Sequence, residues 1–230
     1  MEQTIGFSVI IPLFNEADNV GVFHKEIVSV LEGYNYELIY INDGSTDDTY
    51  NALSKAVEVC PTPHVKMINL AKNRGQSYSY RKGIDQAESS VIVFIDGDLQ
   101  NDPKDIPKFV SKISEGYDLV QGVRLRRKDA FFTKVVTARI ANILLRIFCS
   151  SQFTDIGCSL KAFRKEFTQS LNFHSGIHRL LPLYIQKKDA KVAEIGVEHR
   201  KRRFGRSKYG LSRVFSILVE IIRMSSLSTD

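Results

Sequence analysis

Two aspartates one residue apart, Asp96 and Asp98, close the apolar run Val91-Ile92-Val93-Phe94-Ile95 and lead into Leu99-Gln100. Such a run, rich in Val, Ile and Phe, is the pattern of a strand buried on both faces. In an open α/β sheet, ligands bind at the edge where the strands end and the loops begin. Two carboxylates this close repel each other unless a cation lies between them, and a divalent metal is the usual answer. A hard metal held by one or two carboxylates keeps positions for substrate phosphates. The plainer reading is a strand followed by an acidic turn, because Asp and Gly are common turn residues.

The elements around the pair narrow the choice. Phe7 to Leu13, Tyr36 to Asn42 and Val65 to Leu70 read as strands, with a fifth short strand over Leu119 to Gly122. Helices are expected over Asp18 to Leu31, up to about Val59, from Gly75 to about Glu88, and after Pro103 near Asp105. Strands alternating with helical patterns predict an α/β fold with a mainly parallel, doubly wound sheet. The loops Pro12-Leu13-Phe14-Asn15-Glu16, Asn42-Asp43-Gly44-Ser45-Thr46-Asp47 and Asp96-Gly97-Asp98-Leu99-Gln100 then fall along one edge and can form a single site. Neither a glycine-rich dinucleotide fingerprint nor a Walker loop is present, so a nucleotide here would be held by carboxylates and a metal.

After Val123 the pattern changes. Phe131 to Phe148 reads as a helix with Ile140, Ile143, Leu144, Ile147 and Phe148 on one side, and Leu211 to Met224 aligns Val214, Phe215, Leu218, Ile221 and Ile222. Each stripe suits packing on the core or docking at a membrane surface, the latter favoured by neighbouring arginines. Val192 to His199 alternates as a strand. Residues 1–210 are expected to form one catalytic domain, and 211–230 an amphipathic juxtamembrane helix and tail.

With 43% hydrophobic and 25% charged residues, the 230-residue chain is globular rather than disordered. Cys60, Cys149 and Cys158 lack metal-ligand spacing, which predicts reduced thiols, no zinc site and a cytosolic setting. No signal peptide is expected before the first strand, and no run of about 18 apolar residues predicts a membrane span. The net charge of +6 concentrates in Arg124-Leu125-Arg126-Arg127-Lys128 and in the stretch from His199 to Lys208. Such clusters suit phosphates, an anionic membrane surface or nucleic acid, or form a solvated face. No nucleic-acid-binding module accompanies them, so no nucleic acid is expected as partner.

The strand-Pro-x-x-Asn-Glu opening, Asn-Asp-Gly-Ser-x-Asp-x-Thr and Asp-Gly-Asp-Leu-Gln-x-x-Pro, in this order, resemble family 2 glycosyltransferases of the GT-A fold. Gly122-Val123-Arg124, Thr154-Asp155-Ile156-Gly157-Cys158 and the stretch from Arg202 to Gly210 narrow the resemblance to the polyprenyl-phosphate glycosyltransferases. That group includes dolichol-phosphate mannose synthases and bacterial undecaprenyl-phosphate sugar transferases. The resemblance implies a GT-A, Rossmann-like sheet with amphipathic surface helices. It implies that Pro12, Phe14, Glu16 and Asp43 hold the nucleoside of a UDP- or GDP-linked sugar, with Asp96 near ribose and metal waters. Asp98 and Gln100 match ligands of Mg²⁺ or Mn²⁺. Arg124 matches an arginine gripping the acceptor phosphate, and Arg202, Ser207 and Lys208 an acceptor-side loop. Lys134 and Thr137 fall where further acceptor contacts lie.

The implied reaction is an inverting, metal-dependent transfer of sugar to undecaprenyl or dolichyl phosphate at the cytoplasmic face of the membrane. Its nucleophile, a phosphate monoester with a second pKa of about 6, needs no general base. Asp155 is then either a base, as in relatives with hydroxyl acceptors, or a residue that orders the acceptor loop. A family 2 enzyme with a sugar hydroxyl acceptor, building a surface polysaccharide, is the alternative. Bacterial members usually continue past the final amphipathic helix into transmembrane segments, whereas this sequence ends at Asp230. The expectation is therefore a peripheral protein or a membrane-anchored longer chain, with a homo-oligomer or a membrane partner left open. His178-Arg179 either touch diphosphate or form a helix-surface pair, and the remaining histidines read as structural.

Overall fold

Alternate residues of the first strands are apolar on both sides, so each strand must be covered by helices on both faces. The computed structural model describes residues 6–125 and 151–201. In it β1 (Phe7–Leu13), β2 (Tyr36–Asn42), β3 (Val65–Asn69), β4 (Val91–Phe94), β5 (Leu119–Arg124), β6 (Lys161–Arg164) and β7 (Val192–Val197) form one sheet. Its strand order is β3-β2-β1-β4-β6-β5-β7. Helices α1 (Ala17–Val30), α2 (Thr49–Val59), α3 (Gln76–Gln86), α4 (Ile106–Ser114) and α5 (Ile177–Gln186) cover it.

The faces are divided by side-chain parity. Val9, Ile11, Leu38, Tyr40 and Val93 meet Phe23 and Ile27 of α1, Leu53 of α2 and Phe109 of α4. Ile10, Ile39, Ile92 and Phe94 meet Tyr80 and Ile84 of α3 and Leu180, Leu181 and Leu183 of α5. Phe23, Leu53, Phe94 and Phe109 are fully buried, and truncating such a phenylalanine to Ala costs about 3–5 kcal/mol. The expected doubly wound architecture is the observed one.

The exception to parallel pairing is β6, which runs antiparallel between β4 and β5. The sequence reading did not assign it, because four residues containing a lysine and an arginine carry no clear strand period. Its direction matters for the site. A strand entering against its neighbours starts at the edge where they finish, so the 151–160 segment before it lies beside the C-terminal ends of β4 and β5. Lys161 pairs with Phe94 on one side and Gln121 on the other. The fifth strand is also longer than expected, with Arg124 as its last residue. The predicted helices over Phe131 to Phe148 and Leu211 to Met224 lie outside the described residues. Among the described residues no helix is long and apolar enough to cross a membrane.

Candidate functional site

The three predicted loops converge. A cleft of about 560 Å³ opens at the C-terminal edge of the sheet, and Pro12, Phe14, Glu16, Asp43, Asp96 and Asp98 all line it. The chain reaches this geometry through close backbone approaches. Gly44 has φ +63°, and a Cβ there would lie 2.3 Å from the Lys72 carbonyl carbon. A Cβ on Gly97 would meet a Leu13 methyl at 2.4 Å, so the carboxylate loop packs closely on the side chains of β1.

Hydrogen bonds join the first two loops. The Asn15 amide donates to Ser45 Oγ at 2.9 Å, and the Thr46 amide to Asn15 Oδ1 at 2.8 Å. The Glu16 amide donates to Thr49 Oγ1 at 2.8 Å. The Asp43 carboxylate accepts the amides of Arg74 and Gly75 at 2.7 and 2.9 Å. Burial pushes its pKa up, and these two donors oppose the rise without cancelling it.

Asp96 is fixed by α3: Gln76 Nε2 donates to its Oδ1 at 2.6 Å and the Tyr80 hydroxyl at 3.0 Å. Burial first, and the neighbouring Asp98 charge second, lift its pKa to about 6, against Ser159, Tyr80 and Lys161. Asp98 accepts the Gln100 amide at 3.1 Å, closing a tight turn. Its side chain is buried beside Asp96, whereas Gln100 is not among the residues lining the cleft.

These donors are carboxylate and amide oxygens, the hard set that suits Mg²⁺ or Mn²⁺ rather than zinc. Among the described residues no three His, Cys, Asp or Glu side chains converge as a full cage. Two carboxylates would supply part of a coordination shell and leave positions for a phosphate substrate.

Arg124 and Asp155 meet as a second group. Arg124 Nε and Nη2 donate to the two carboxylate oxygens of Asp155 at 2.7 and 2.8 Å, a paired fork with both side chains largely buried. The buried Gln121 shapes the turn behind them, donating to the carbonyls of Asp155 and Cys158 at 3.2 and 3.1 Å. Cys158 packs beneath, its thiol pushed to about 11 by burial, and is a filler rather than a nucleophile.

A small chamber of about 60 Å³ adjoins the cleft. Gln76, Asp96, Ser159, Lys161, His178 and Arg179 are among the residues around it. Sequence reasoning left Gln76, Tyr80, Gln121 and Lys161 unassigned. Lys161 is 2% exposed, and burial pulls its pKa down to about 8. Its ammonium donates to the His178 carbonyl at 3.2 Å. His178 and Arg179, at the start of α5, both line the cleft, so the helix-surface reading of this pair gives way to a position on the cleft wall. Ser77 Oγ lies 2.6 Å from His178 Nδ1 and ties α3 to α5. The signal for this wall was the Gly176-Ile177-His178 start, too weak without the packing of α5. Lys134, Thr137, Arg202, Ser207 and Lys208 lie outside the described residues.

The chain has relatives of known identity. Over 225 residues the chain is 34% identical to dodecaprenyl-phosphate galacturonate synthase of Rhizobium johnstonii, covering 96% of this chain and 66% of that protein. It is 32% identical over 217 residues to undecaprenyl-phosphate 4-deoxy-4-formamido-L-arabinose transferase of Enterobacter sp., covering 94% and 66%. The chain thus spans just under two thirds of the length of these relatives. Glucosyl-3-phosphoglycerate synthase of Mycobacterium tuberculosis, in complex with phosphoglyceric acid, superposes with a TM-score of 0.74 at 18% identity, over 96% of this chain and 80% of that one. The same enzyme in complex with Mn²⁺, UDP and glucosyl-3-phosphoglycerate gives 0.73 at 19% identity, over 96% and 78%. Those likenesses establish the GT-A fold. Residues 8–171, which carry all three convergent loops and the Arg124–Asp155 pair, match the model of glycosyl transferase family 2, and to that family the chain belongs.

Proposed function

We propose that this protein moves a sugar from a nucleotide donor to a polyprenyl phosphate, with inversion at the anomeric carbon. The observation that carries the reading is the single cleft shared by Pro12, Phe14, Glu16, Asp43, Asp96 and Asp98 at the sheet edge. Pro12, Phe14, Glu16 and Asp43 would hold the nucleoside, and Asp96 the ribose side of the donor. Asp98 and Gln100 would hold Mg²⁺ or Mn²⁺, which when bound neutralises charge on the departing diphosphate.

The acceptor side favours an anion. Asp155 already has both oxygens on the Arg124 guanidinium, so it orients that fork rather than serving as base for a hydroxyl. A phosphate monoester attacks without losing a proton, so its requirement is cationic surroundings. Arg124 and the buried Lys161 would supply those cations, and Lys134, Thr137, Arg202, Ser207 and Lys208 are assigned to the acceptor by sequence. Direct attack by the acceptor phosphate on the anomeric carbon would turn an α-linked donor into a β-linked lipid phosphate. The relatives named for dodecaprenyl and undecaprenyl phosphate support this acceptor class. The site of action would be the cytoplasmic face of a membrane, reached through residues 211–230 or a longer chain.

The test is transfer from a panel of UDP- and GDP-sugars to polyprenyl phosphate with Mn²⁺ or Mg²⁺. Mass spectrometry should show a sugar–phospholipid, and NMR its β linkage. An α product would overturn inversion. Transfer to a sugar hydroxyl, abolished by Asp155→Asn, with none to polyprenyl phosphate, would establish the alternative acceptor class.

A further inference from the structure

The loop carrying Asp98 and Gln100 has an internal tie, the Gln100 amide on Asp98, and otherwise leans on its surroundings. Leu99 at its centre has φ +63°, a left-handed conformation disfavoured for a residue with a Cβ, and its side chain is 1% exposed. Such a turn persists only when its surroundings over-determine it. Part of that restraint comes from the segment before β6, since Asn101 Nδ2 donates to Ser159 Oγ at 2.6 Å. The rest comes from the segment after β7, nearly a hundred residues further along the chain.

Three contacts converge there. The backbone amide of Arg200 donates to the Gln100 carbonyl at 2.8 Å. Asn101 and His199 form an isolated antiparallel bridge. The Arg200 guanidinium then forks, Nη2 lying 2.6 Å from Asp102 Oδ2 and Nη1 2.7 Å from Glu26 Oε2. Asp102 also caps the turn before α4 by accepting the Lys104 amide at 3.0 Å. One side chain thereby joins α1, the far end of the carboxylate loop and the strand-end segment after β7. It does so from outside the 8–171 stretch matched by the family, and it is not among the residues lining the cleft.

We infer that Arg200 is a positioning residue for the carboxylate loop, holding Asp98 and Gln100 in the arrangement that receives the divalent cation. The inference rests on the proposed metal-binding role of those two residues. The planar fork is essential because it reaches two carboxylates from different elements at once; a lysine presents one ammonium and can satisfy only one of them well.

The experiment is Mn²⁺ binding in the presence of UDP, followed by the electron paramagnetic resonance of free Mn²⁺, so that no turnover is required. Arg200→Ala should weaken Mn²⁺ binding about tenfold, with Arg200→Lys falling between it and the wild type. In steady state the donor KM should rise by a similar factor while kcat changes less than twofold. If Arg200→Ala does not fold, the double variant Glu26→Gln/Asp102→Asn removes both partners of the fork and should show the same loss. Mn²⁺ affinity within twofold of wild type in the variants, with only the melting temperature lowered, would make Arg200 a structural tie and overturn the inference. A wild-type protein that takes up no Mn²⁺ would overturn the metal reading itself, and this inference with it.

Discussion

Glu37 and Asp96 are carboxylates in the same sheet, placed at opposite edges. Glu37 is fully buried near the start of β2, and everything around it serves its charge. Ser8 Oγ donates to it at 2.5 Å, the Glu88 amide at 2.7 Å, and the Lys66 ammonium lies 2.9 Å away. Burial alone would raise its pKa, but these partners together hold it below the usual carboxylate range. Asp96, past the end of β4, also has donors, yet it shares its loop with Asp98 and its pKa climbs to about 6. The first carboxylate is neutralised by the protein. The second is left electrostatically short, the arrangement expected where a cation from outside completes the site.

The largest effect should come from the cleft. Asp98→Ala should lower turnover by about a thousandfold or more, on the scale of several kcal/mol of lost charge stabilisation, with an unchanged circular dichroism spectrum. Wild-type turnover in that variant would remove the contrast between the two edges. Glu37→Gln should do the reverse, costing about 2 kcal/mol in urea unfolding while leaving kcat per folded molecule intact. A variant with normal stability would show that the Ser8–Lys66 arrangement is incidental.

Lys161 sharpens the comparison, because it is a cation that the protein does supply near Asp96. Lys161→Met should reduce kcat/KM on the order of tenfold, with Lys161→Arg recovering part of the loss, as expected for a charge interaction at an effective dielectric near 20. Equal activity in both variants would mean that the residue only fills space.

The smallest effect is a difference in slope with pH in the metal-free protein. Asp96 keeps its proton to about pH 6 when folded but loses it near 3.8 when unfolded, so its contribution to stability falls as pH rises from about 4 to 6. Glu37 has the opposite sign: its contribution is present above its unfolded value of 4.5 and is lost on acidification through its lower folded value. Asp96→Asn should therefore make urea-measured stability rise more steeply between pH 4 and 6 than in wild type. An unchanged slope would place the Asp96 titration elsewhere.

Much of this arrangement was legible in the chain because it is local. The alternation of apolar runs with helical patterns determined the doubly wound sheet, and the residue types at three strand ends determined which loops share a cleft. Side-chain parity along a strand and the fate of a chain leaving a parallel sheet are properties of a few consecutive residues. What the tertiary structure decided depends on contacts across long separations. It inserted Lys161–Arg164 between β4 and β5, and so placed a buried ammonium beside the site. It brought α5 to the cleft wall and closed Arg124 onto Asp155. It tied Arg200 to Glu26 and Asp102. A short charged segment has no period that announces burial, and an ion pair between distant residues leaves no spacing to read; only the packed sheet selects the partner.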